Sequence, residues 1–301
     1  MIEVREIGDD ELERWVEVSR SFGAEAGTAT DYRDWRRQAD DMVWLLAELD
    51  GDPAGTAVAL TGWHSPPRVG RLEVDVAPAL RRRGVGTELL RGAGAWLRAR
   101  DCEEATAPVR EDDGESLAWA ERRGYREVGR NSRLALELSP VEAPEVEPPD
   151  GIEIVSWADR LDVVRGMYEV ACEAYPDVPG EDEAEMAAFE DWLSGDMQGA
   201  GDRPEATFAA LAGDEVVGYA KFSISNARPG VAMHDMTGVK RAWRGRGVAG
   251  ALKRAEIRWA KQNGFTRLET MNEERNEPIR RLNERHGYRL EPGKITVRGR
   301  V

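Results

Sequence analysis

Two glycine-rich segments carry the residues best suited to chemistry, and they lie 163 positions apart. Each combines arginines with small residues, which let successive backbone N–H groups turn toward an anion without a Cβ in the way. Each also precedes an amphipathic stretch, so the free N–H groups at the start of a helix would add to the positive field. The first segment consists of Arg81, Arg82, Arg83, Gly84, Val85 and Gly86, and the second consists of Arg244, Gly245, Arg246, Gly247, Val248 and Ala249.

These segments differ from two common nucleotide-binding loops. Neither is followed by Gly-Lys-Ser/Thr, so neither supplies the hydroxyl ligand for magnesium or the lysine that contacts a terminal phosphate. The dinucleotide fingerprint needs three glycines and an acidic residue about 20 positions later, and that pattern is also missing. The residues therefore predict a diphosphate held by backbone amides, with no metal ion.

Other landmarks repeat at the same offset. Gly55 pairs with Gly218, Trp96 with Trp259, and the Gly-Tyr dipeptide at 124–125 with that at 287–288. The period is far too long for a solenoid, so each copy should be a whole domain. A chain of 301 residues is consistent with two domains.

Composition indicates a folded protein outside the membrane. The hydrophobic fraction is 41%, and no apolar run approaches the roughly 20 residues needed to span a bilayer. The first residues lack the basic and apolar regions of a signal peptide. Cys102 and Cys172 fall at unmatched places in the two copies, which favours isolated thiols over a disulfide. A cytoplasmic location is expected on these grounds.

The net charge of −15 argues against binding of nucleic acid. A denser acidic patch lies in the second half, where it is either a solvated surface or a field that attracts a cationic amine. Its members are Asp177, Glu181, Asp182, Glu183, Glu185, Glu190 and Asp191.

Each half reads in the same order: an opening strand, a helical region, a hairpin, a strand that enters the glycine-rich segment, an amphipathic helix, and a further strand and helix. A Pro/Glu-rich stretch at 139–150 is a semi-rigid spacer between them. The sequence thus predicts an N-terminal domain at 1–138 and a C-terminal domain at 151–301. Both are expected to be α+β.

At this point the chain resembles the GNAT acetyltransferase superfamily. The likeness is carried by Val76 leading into Arg81–Gly86, by Val239 leading into Arg244–Ala249, and by the later stretch from Thr270 to Tyr288. The resemblance implies acetyl-CoA as the cofactor, with its diphosphate on the loops and its pantetheine arm near Asn276. It implies mixed, mostly antiparallel sheets whose two central strands splay apart. It also implies acetyl transfer to an amine by direct attack in a ternary complex, with a backbone N–H near Val239 facing the thioester oxygen.

Two side chains are candidate catalytic groups. Asp235 lies on the strand that enters the second loop, where alternation would put it on one face with Thr237 and Val239. It could act as the base, or it could be an edge carboxylate in a salt bridge. Tyr288 could protonate the leaving thiolate, or it could be a core aromatic residue. The family often has a tyrosine four residues before the Gly-Tyr pair, and this chain has Ala120 and Asn283 at those places.

The two halves differ at these positions. The offset of 163 puts Leu72 opposite Asp235, and Asp113 opposite Asn276. Asn276 could contact the amide-bearing pantetheine arm, because an amide both donates and accepts, or it could simply cap a helix. The C-terminal half is therefore predicted to be the catalyst, and the N-terminal half to bind CoA weakly or without turnover.

Three functions remain open from the sequence. The first is an N-acetyltransferase that acts on a small-molecule amine. The second is a non-catalytic protein that binds or senses acyl-CoA. The third is an acetyltransferase of the mycothiol-synthase kind, because the layout is similar to that of such tandem proteins. Acetylation of a protein is disfavoured, because the inserted acidic region would crowd the groove that a peptide needs.

Overall fold

The computed structural model describes residues 1–23, 25–62, 65–178 and 186–301 and contains two compact units. Unit 1 comprises Met1–Gly129 and Lys294–Val301, and unit 2 comprises Arg130–Gly293. Within these described ranges, no helix combines the length and the apolar character that a membrane crossing requires.

The elements follow one another in the order expected from the sequence. The first part of the chain forms β1 (Ile2–Glu6), α1 (Leu12–Ser21), α2 (Ala29–Gln38), β2 (Ala39–Leu49), β3 (Asp52–Gly62), β4 (Val69–Val76), α3 (Val85–Arg98), β5 (Glu104–Arg110), α4 (Gly114–Glu121) and β6 (Arg126–Glu137). The second part forms β7 (Glu153–Ser156), α5 (Val164–Ala174), α6 (Phe189–Asp196), β8 (Asp202–Ala212), β9 (Glu215–Ser223), β10 (Val231–Val239), α7 (Val248–Gln262), β11 (Arg267–Glu273), α8 (Glu277–Arg285) and β12 (Arg289–Arg300).

Both units contain a mixed, mostly antiparallel sheet. In unit 1 the strand order is β1-β2-β3-β4-β5, completed by residues 294–300 of β12. In unit 2 it is β7-β8-β9-β10-β11, completed by residues 131–137 of β6. The pairs β4–β5 and β10–β11 are parallel, whereas the other pairs are antiparallel. The α+β class and the tandem arrangement expected from the sequence are confirmed.

The compact units and the sequence halves divide the chain differently. The alternating stretch 133–138 closes the first half by sequence, but the part of it in β6 pairs with β11 inside unit 2. The Pro/Glu-rich stretch 139–150 also belongs to unit 2, where the Arg254 guanidinium donates to the carbonyl oxygen of Glu147 over 2.6 Å. The boundaries at 138 and 151 remain a proposal about the extent of the repeat.

In each unit, alternating residues of one strand pack in two cores, one on each face of the sheet. In β2, Val43 and Leu45 pack in the cluster that contains α3, whereas Trp44 and Leu46 pack against α1 and α2. Unit 2 is built the same way, with α7 on one face of its sheet and α5 and α6 on the other. Each sheet is therefore covered by helices on both faces, and the hairpin strands β2, β3, β8 and β9 are nearly continuous buried runs.

The central parallel strands separate after a few residues. Strand β4 pairs with β5 only at Val69 to Arg71, although β4 continues to Val76. Likewise β10 pairs with β11 only from Val231 to His234 and continues to Val239. The backbone groups of the separated segments are freed from that ladder. The predicted splay is therefore present in both units.

The repeated glycine on the preceding strand has a steric reason. A Cβ on Gly55 would lie 2.8 Å from the Asp75 carbonyl oxygen and 2.8 Å from a methyl of Leu89 on α3. A Cβ on Gly218 would lie 3.0 Å from the carbonyl oxygen of Gly238 and 3.3 Å from a methyl of Leu252 on α7. Glycine thus allows the helix that follows the loop to pack closely on the sheet.

Candidate active site

Each glycine-rich loop presents a row of open backbone amides. The N-cap residues of the helices that follow are Gly84 and Gly247, whose φ angles are +94° and +90°. Among the described residues, no acceptor lies on the backbone N–H groups of Arg82–Gly86, which we call cradle 1, or of Gly245–Ala249, which we call cradle 2. A row of free N–H groups at a helix N-terminus fits a diphosphate without a metal ion.

The arginines around the two cradles have different partners. In unit 1, Arg82 and Arg83 are exposed, and Arg81 lies 3.3 Å from the Glu115 carboxylate. In unit 2, Arg241 and Arg244 form ion pairs with Asp177 over 2.7 and 2.6 Å.

The Asp177 carboxylate therefore neutralises part of the charge beside cradle 2. Hydrogen bonds from the two arginines lower the pKa of Asp177 to about 2. In the acidic patch, Glu181, Asp182, Glu183 and Glu185 lie outside the described residues. Glu190 and Asp191 lie in the first turn of α6.

Strand register places one backbone N–H of each unit at the splay. Val76 stands opposite Gly55, and Val239 stands opposite Gly218. The residue after each strand donates to the hairpin: the Ala77 N–H to the Ala54 carbonyl oxygen over 3.0 Å, and the Lys240 N–H to the Val217 carbonyl oxygen over 2.9 Å. Because antiparallel bonding alternates, the N–H groups of Val76 and Val239 point away from the hairpin and toward the splay. That is where a donor to a thioester oxygen is needed.

Asp235 occupies a β-bulge. The pairing of β10 with β9 shifts between His234 and Met236, which leaves Asp235 as an extra residue. Its carboxylate contacts Lys221, which pairs with Met236 on the α5 and α6 face, whereas Val239 packs against α7. The expectation that Asp235 shares a face with Val239 is therefore wrong, because the inserted residue breaks the alternation.

The bulge also changes the comparison between the halves. Val69 and Arg71 pair with β5 as Val231 and Met233 pair with β11, so the offset before the bulge is 162. The residue that corresponds to His234 is therefore Leu72. The expectation that Leu72 stands opposite Asp235 is wrong, since Asp235 has no counterpart in unit 1.

A buried lysine holds the Asp235 carboxylate. The Lys221 ammonium lies 2.8 Å from Asp235 and 2.5 Å from Asp202, and it donates to the carbonyl oxygen of Asp196. The side chain of Lys221 is 3% exposed, whereas that of Asp235 is 46% exposed. The salt-bridge interpretation of Asp235 thus describes its geometry, and its role as a base remains a proposal.

Unit 1 carries two carboxylates that the sequence comparison missed. Glu73 and Asp75 lie on β4 beyond its last pair with β5, so they are on the splayed segment. Burial and the nearby charge of Glu73 raise the pKa of Asp75 to about 6. The sequence signal for them is the Glu-x-Asp alternation directly before the loop.

The residues that precede α4 and α8 use their side chains differently. The carboxylate of Asp113 caps α4 by accepting from the Ser116 N–H over 2.9 Å. The Asn276 side chain makes no such bond at the start of α8 within the described residues. The amide of Asn276 thus stays available to a ligand. Farther along α8, Asn283 is fully buried and donates to Asn272 over 3.0 Å.

The Tyr288 hydroxyl contacts a buried histidine. Tyr288 is 3% exposed, and its hydroxyl is hydrogen-bonded to His234 Nε2. His234 Nδ1 faces the carboxylate of Glu256, which also lies 3.6 Å from the ammonium of Lys253. Burial raises the pKa of Tyr288 well above its usual value. The side chain is a packed core residue, and its role as a proton donor stays a prediction.

Comparisons with known proteins agree with this geometry. The sequence model of the acetyltransferase (GNAT) family matches residues 9–125 and 164–288. The chain is similar to a mycothiol acetyltransferase of Nocardia farcinica, at 28% identity over 230 residues that cover 73% of this chain and 71% of that protein.

Two solved structures share the whole fold. One is a tandem GNAT protein of the clavulanic acid biosynthesis pathway, with a TM-score of 0.79, 19% identity and coverage of 100% of this chain and 98% of that chain. The other is a GCN5-related N-acetyltransferase of Sphaerobacter thermophilus, with a TM-score of 0.77, 24% identity and coverage of 99% and 95%. At these identities the likeness shows the fold.

Proposed function

Because this chain belongs to the acetyltransferase (GNAT) family, we propose that it moves an acetyl group from acetyl-CoA to the amine of a small molecule, by direct attack in a ternary complex. Acyl transfer follows from the family, whereas the amine and the ternary complex are our proposal. The observation that carries it is the combination, in each unit, of a splayed strand and a row of open amides at its end.

The chain offers matched groups for the cofactor in both units. Cradle 2 and the Arg244 guanidinium would hold the diphosphate in unit 2, and the free amide of Asn276 would contact the pantetheine arm. Cradle 1 and Arg81 would do the same for the diphosphate in unit 1. When bound, acetyl-CoA supplies an activated acetyl group whose thiol is a good leaving group.

The remaining chemistry is the handling of protons. An amine must be neutral to attack, so a base has to accept its proton, directly or through water. In unit 2 we assign this step to Asp235, whose carboxylate is close to half exposed and can exchange protons with solvent. The Val239 N–H would stabilise the negative charge that develops on the oxygen. Tyr288, or water, would protonate the departing sulfur.

A small acceptor of the mycothiol type is a second candidate. The similarity to a mycothiol acetyltransferase over 73% of the chain favours it. The side chains at the place of the family tyrosine, Ala120 and Asn283, oppose it. The acidic composition of the chain is consistent with any small cationic amine.

The test is a thiol-release assay with acetyl-CoA and a panel of small primary amines, including the unacetylated precursor of mycothiol. We expect thiol release that depends on the amine, with one acetyl group found on the product by mass spectrometry. Tight binding of acetyl-CoA without amine-dependent release would favour the non-catalytic alternative. Occupancy of the cradles by a nucleotide with magnesium would overturn both.

A further inference from the structure

We propose that unit 1 is a second acetyl-transfer site, in which Asp75 accepts the proton of a small cationic amine. This inference rests on the proposed function and departs from the expectation that the N-terminal half is weak or inactive. It is carried by the position of two carboxylates on the splayed segment of β4, directly before the open amides of cradle 1.

Both carboxylates face the helices opposite α3. Asp75 pairs with Thr56 on β3, and the Thr56 hydroxyl is hydrogen-bonded to Ser19 of α1 over 3.1 Å. Glu73 pairs with Val58, which packs in the core formed with α1 and α2. Paired residues of antiparallel strands share a face, so Glu73 and Asp75 line the space between β4 and these helices.

Unit 2 lacks both groups at the matching places. Downstream of the bulge the offset is 163, which puts Met236 at the position of Glu73 and Gly238 at that of Asp75. A Cβ on Gly238 would lie 3.0 Å from the Met236 methyl and 3.2 Å from Ala174 on α5. The helix therefore closes on the strand in unit 2, where unit 1 has two acidic side chains.

The surroundings of Asp75 suit a proton acceptor. Its carboxyl is half-buried, and the charges that act on it are Glu73 on the same strand, Lys294 on β12 and Arg81 in the loop. Desolvation is the largest effect on its pKa, and the repulsion of Glu73 adds to it, whereas Lys294 and Arg81 oppose it. A pKa of about 6 leaves the group ionised at neutral pH and a stronger base than an ordinary aspartate.

The two carboxylates indicate the class of acceptor. The nearby rings of Tyr32 and Trp15 are 5% and 3% exposed and pack edge-on with centroids 5.2 Å apart, so they are core residues. Burial raises the pKa of Tyr32, and the charges of Glu73 and Asp75 add to that effect. Carboxylates attract cations. The site therefore fits a small ammonium compound.

The step balances without another reactant. The Asp75 carboxylate takes one proton from the ammonium, and the freed lone pair forms the C–N bond to the acetyl carbon as the C–S bond breaks. The second proton of the attacking nitrogen goes to the departing sulfur, which gives the thiol. Asp75 then returns its proton to solvent. The Val76 N–H, which points toward the splay, would stabilise the charge on the oxygen.

The experiment isolates each unit by charge reversal in its cradle. Arg83 and Arg246 correspond at the offset of 163 and both are exposed. The intact chain should bind two equivalents of acetyl-CoA by calorimetry, and Arg83→Glu and Arg246→Glu should each remove one. In the Arg246→Glu chain, amine-dependent thiol release should persist.

Adding Asp75→Asn to the Arg246→Glu chain tests the base. We expect kcat to fall about 100-fold or more, the acid limb of the pH profile near pH 6 to disappear, and the affinity for acetyl-CoA to stay unchanged. Glu121→Gln, an exposed change on α4 that removes the same charge, should leave kcat as it was.

Three results would overturn the inference. The first is acetyl-CoA bound to unit 1 of the Arg246→Glu chain without any transfer. The second is a rate and acid limb that Asp75→Asn does not alter. The third is an intact chain that acetylates no amine, which defeats the proposed function first and this inference with it. The first two leave the proposed function standing, so the failures are distinguishable.

Discussion

His234 and Glu256 meet in the interior of unit 2, with His234 Nδ1 3.1 Å from Glu256 Oε2 and side chains that are 2% and 0% exposed. Lys253 and Tyr288 complete this buried polar cluster. The matching places in unit 1 are Leu72, Leu90 and Ala93, with Tyr125 in the place of Tyr288. The Tyr125 hydroxyl has no hydrogen-bond partner among the described residues. The cluster is therefore a feature of unit 2 rather than of the repeat.

The histidine should make the stability of the protein depend on pH. Burial lowers the pKa of His234 from 6.5 to about 4, against the pull of Glu256 and helped by Lys253 and His286. The unfolded chain therefore binds a proton at a pH where the folded chain does not. The free energy of unfolding should fall as the pH drops from about 6.5 to 4, by about 3 kcal/mol for this group.

The measurement is urea unfolding across that range, compared with His234→Leu, which installs the residue of unit 1. The comparison isolates His234, because His286 contributes with the same sign and Asp75, whose pKa is raised, with the opposite sign. The difference between the two chains should shrink or reverse at acid pH. Parallel pH profiles would contradict the assignment.

Asp235 and Lys221 should respond differently to substitution. Lys221→Met leaves the carboxylate of Asp202, which is 9% exposed, without its partner, and should cost about 3–5 kcal/mol of unfolding free energy. Asp235→Asn should cost about 1 kcal/mol or less, because its carboxylate is close to half exposed.

The same Asp235 variant tests the proposed base. In the Arg83→Glu chain, where only unit 2 retains its cradle, Asp235→Asn should lower kcat about 100-fold with little change in the affinity for acetyl-CoA. A variant that loses stability but keeps kcat would show that Asp235 only balances the charge of Lys221.

The loops and the order of the elements could be predicted because their signals are local, whereas the splay was implied only by the resemblance to GNAT acetyltransferases. Gly84 and Gly247 stand where the backbone needs a positive φ, and turns between apolar runs mark the hairpins. Those features depend on neighbours in the sequence, so they can be predicted without knowing which strands pair.

The bulge at Asp235 could not be predicted from the repeat. The interval from Gly55 to Val76 equals that from Gly218 to Val239, because one residue gained within β10 is offset by one residue fewer before it. A constant offset therefore concealed the insertion. Strand pairing is a non-local property, and it also decides that the end of the chain completes the sheet of unit 1.

The ion pairs of Asp177 should weaken the binding of acetyl-CoA to unit 2. Its carboxylate contacts Arg241 and Arg244, so a diphosphate in cradle 2 has to compete with it for their charge. Asp177→Asn should therefore raise the affinity of unit 2 about three- to tenfold at low salt, with a smaller gain at high salt.

Calorimetry in the Arg83→Glu chain measures this affinity for unit 2 alone. Glu190→Gln on α6 removes the same charge from an exposed residue and serves as the control. Weaker binding by the Asp177 variant would mean that the ion pairs organise the loop for the ligand instead of opposing it.

Substitution of Asn276 and of Asp113 should separate an effect on ligand binding from an effect on helix capping. Asp113 accepts the Ser116 N–H, so Asp113→Ala should lower the free energy of unfolding by about 1 kcal/mol. The Asn276 side chain makes no cap bond within the described residues, so Asn276→Ala should change stability by less than about 0.5 kcal/mol. If its amide contacts the pantetheine arm, loss of one hydrogen bond should weaken acetyl-CoA binding to unit 2 about three- to tenfold.

Two further ligands locate the contact: dephospho-CoA, which keeps the pantetheine arm, and a CoA fragment that lacks the pantetheine amides. The chain with Asn276 and the Asn276→Ala chain should bind the fragment equally, and only the chain with Asn276 should gain affinity when the amides are present. An Asn276→Ala chain that unfolds more readily and binds normally would instead make Asn276 a capping residue.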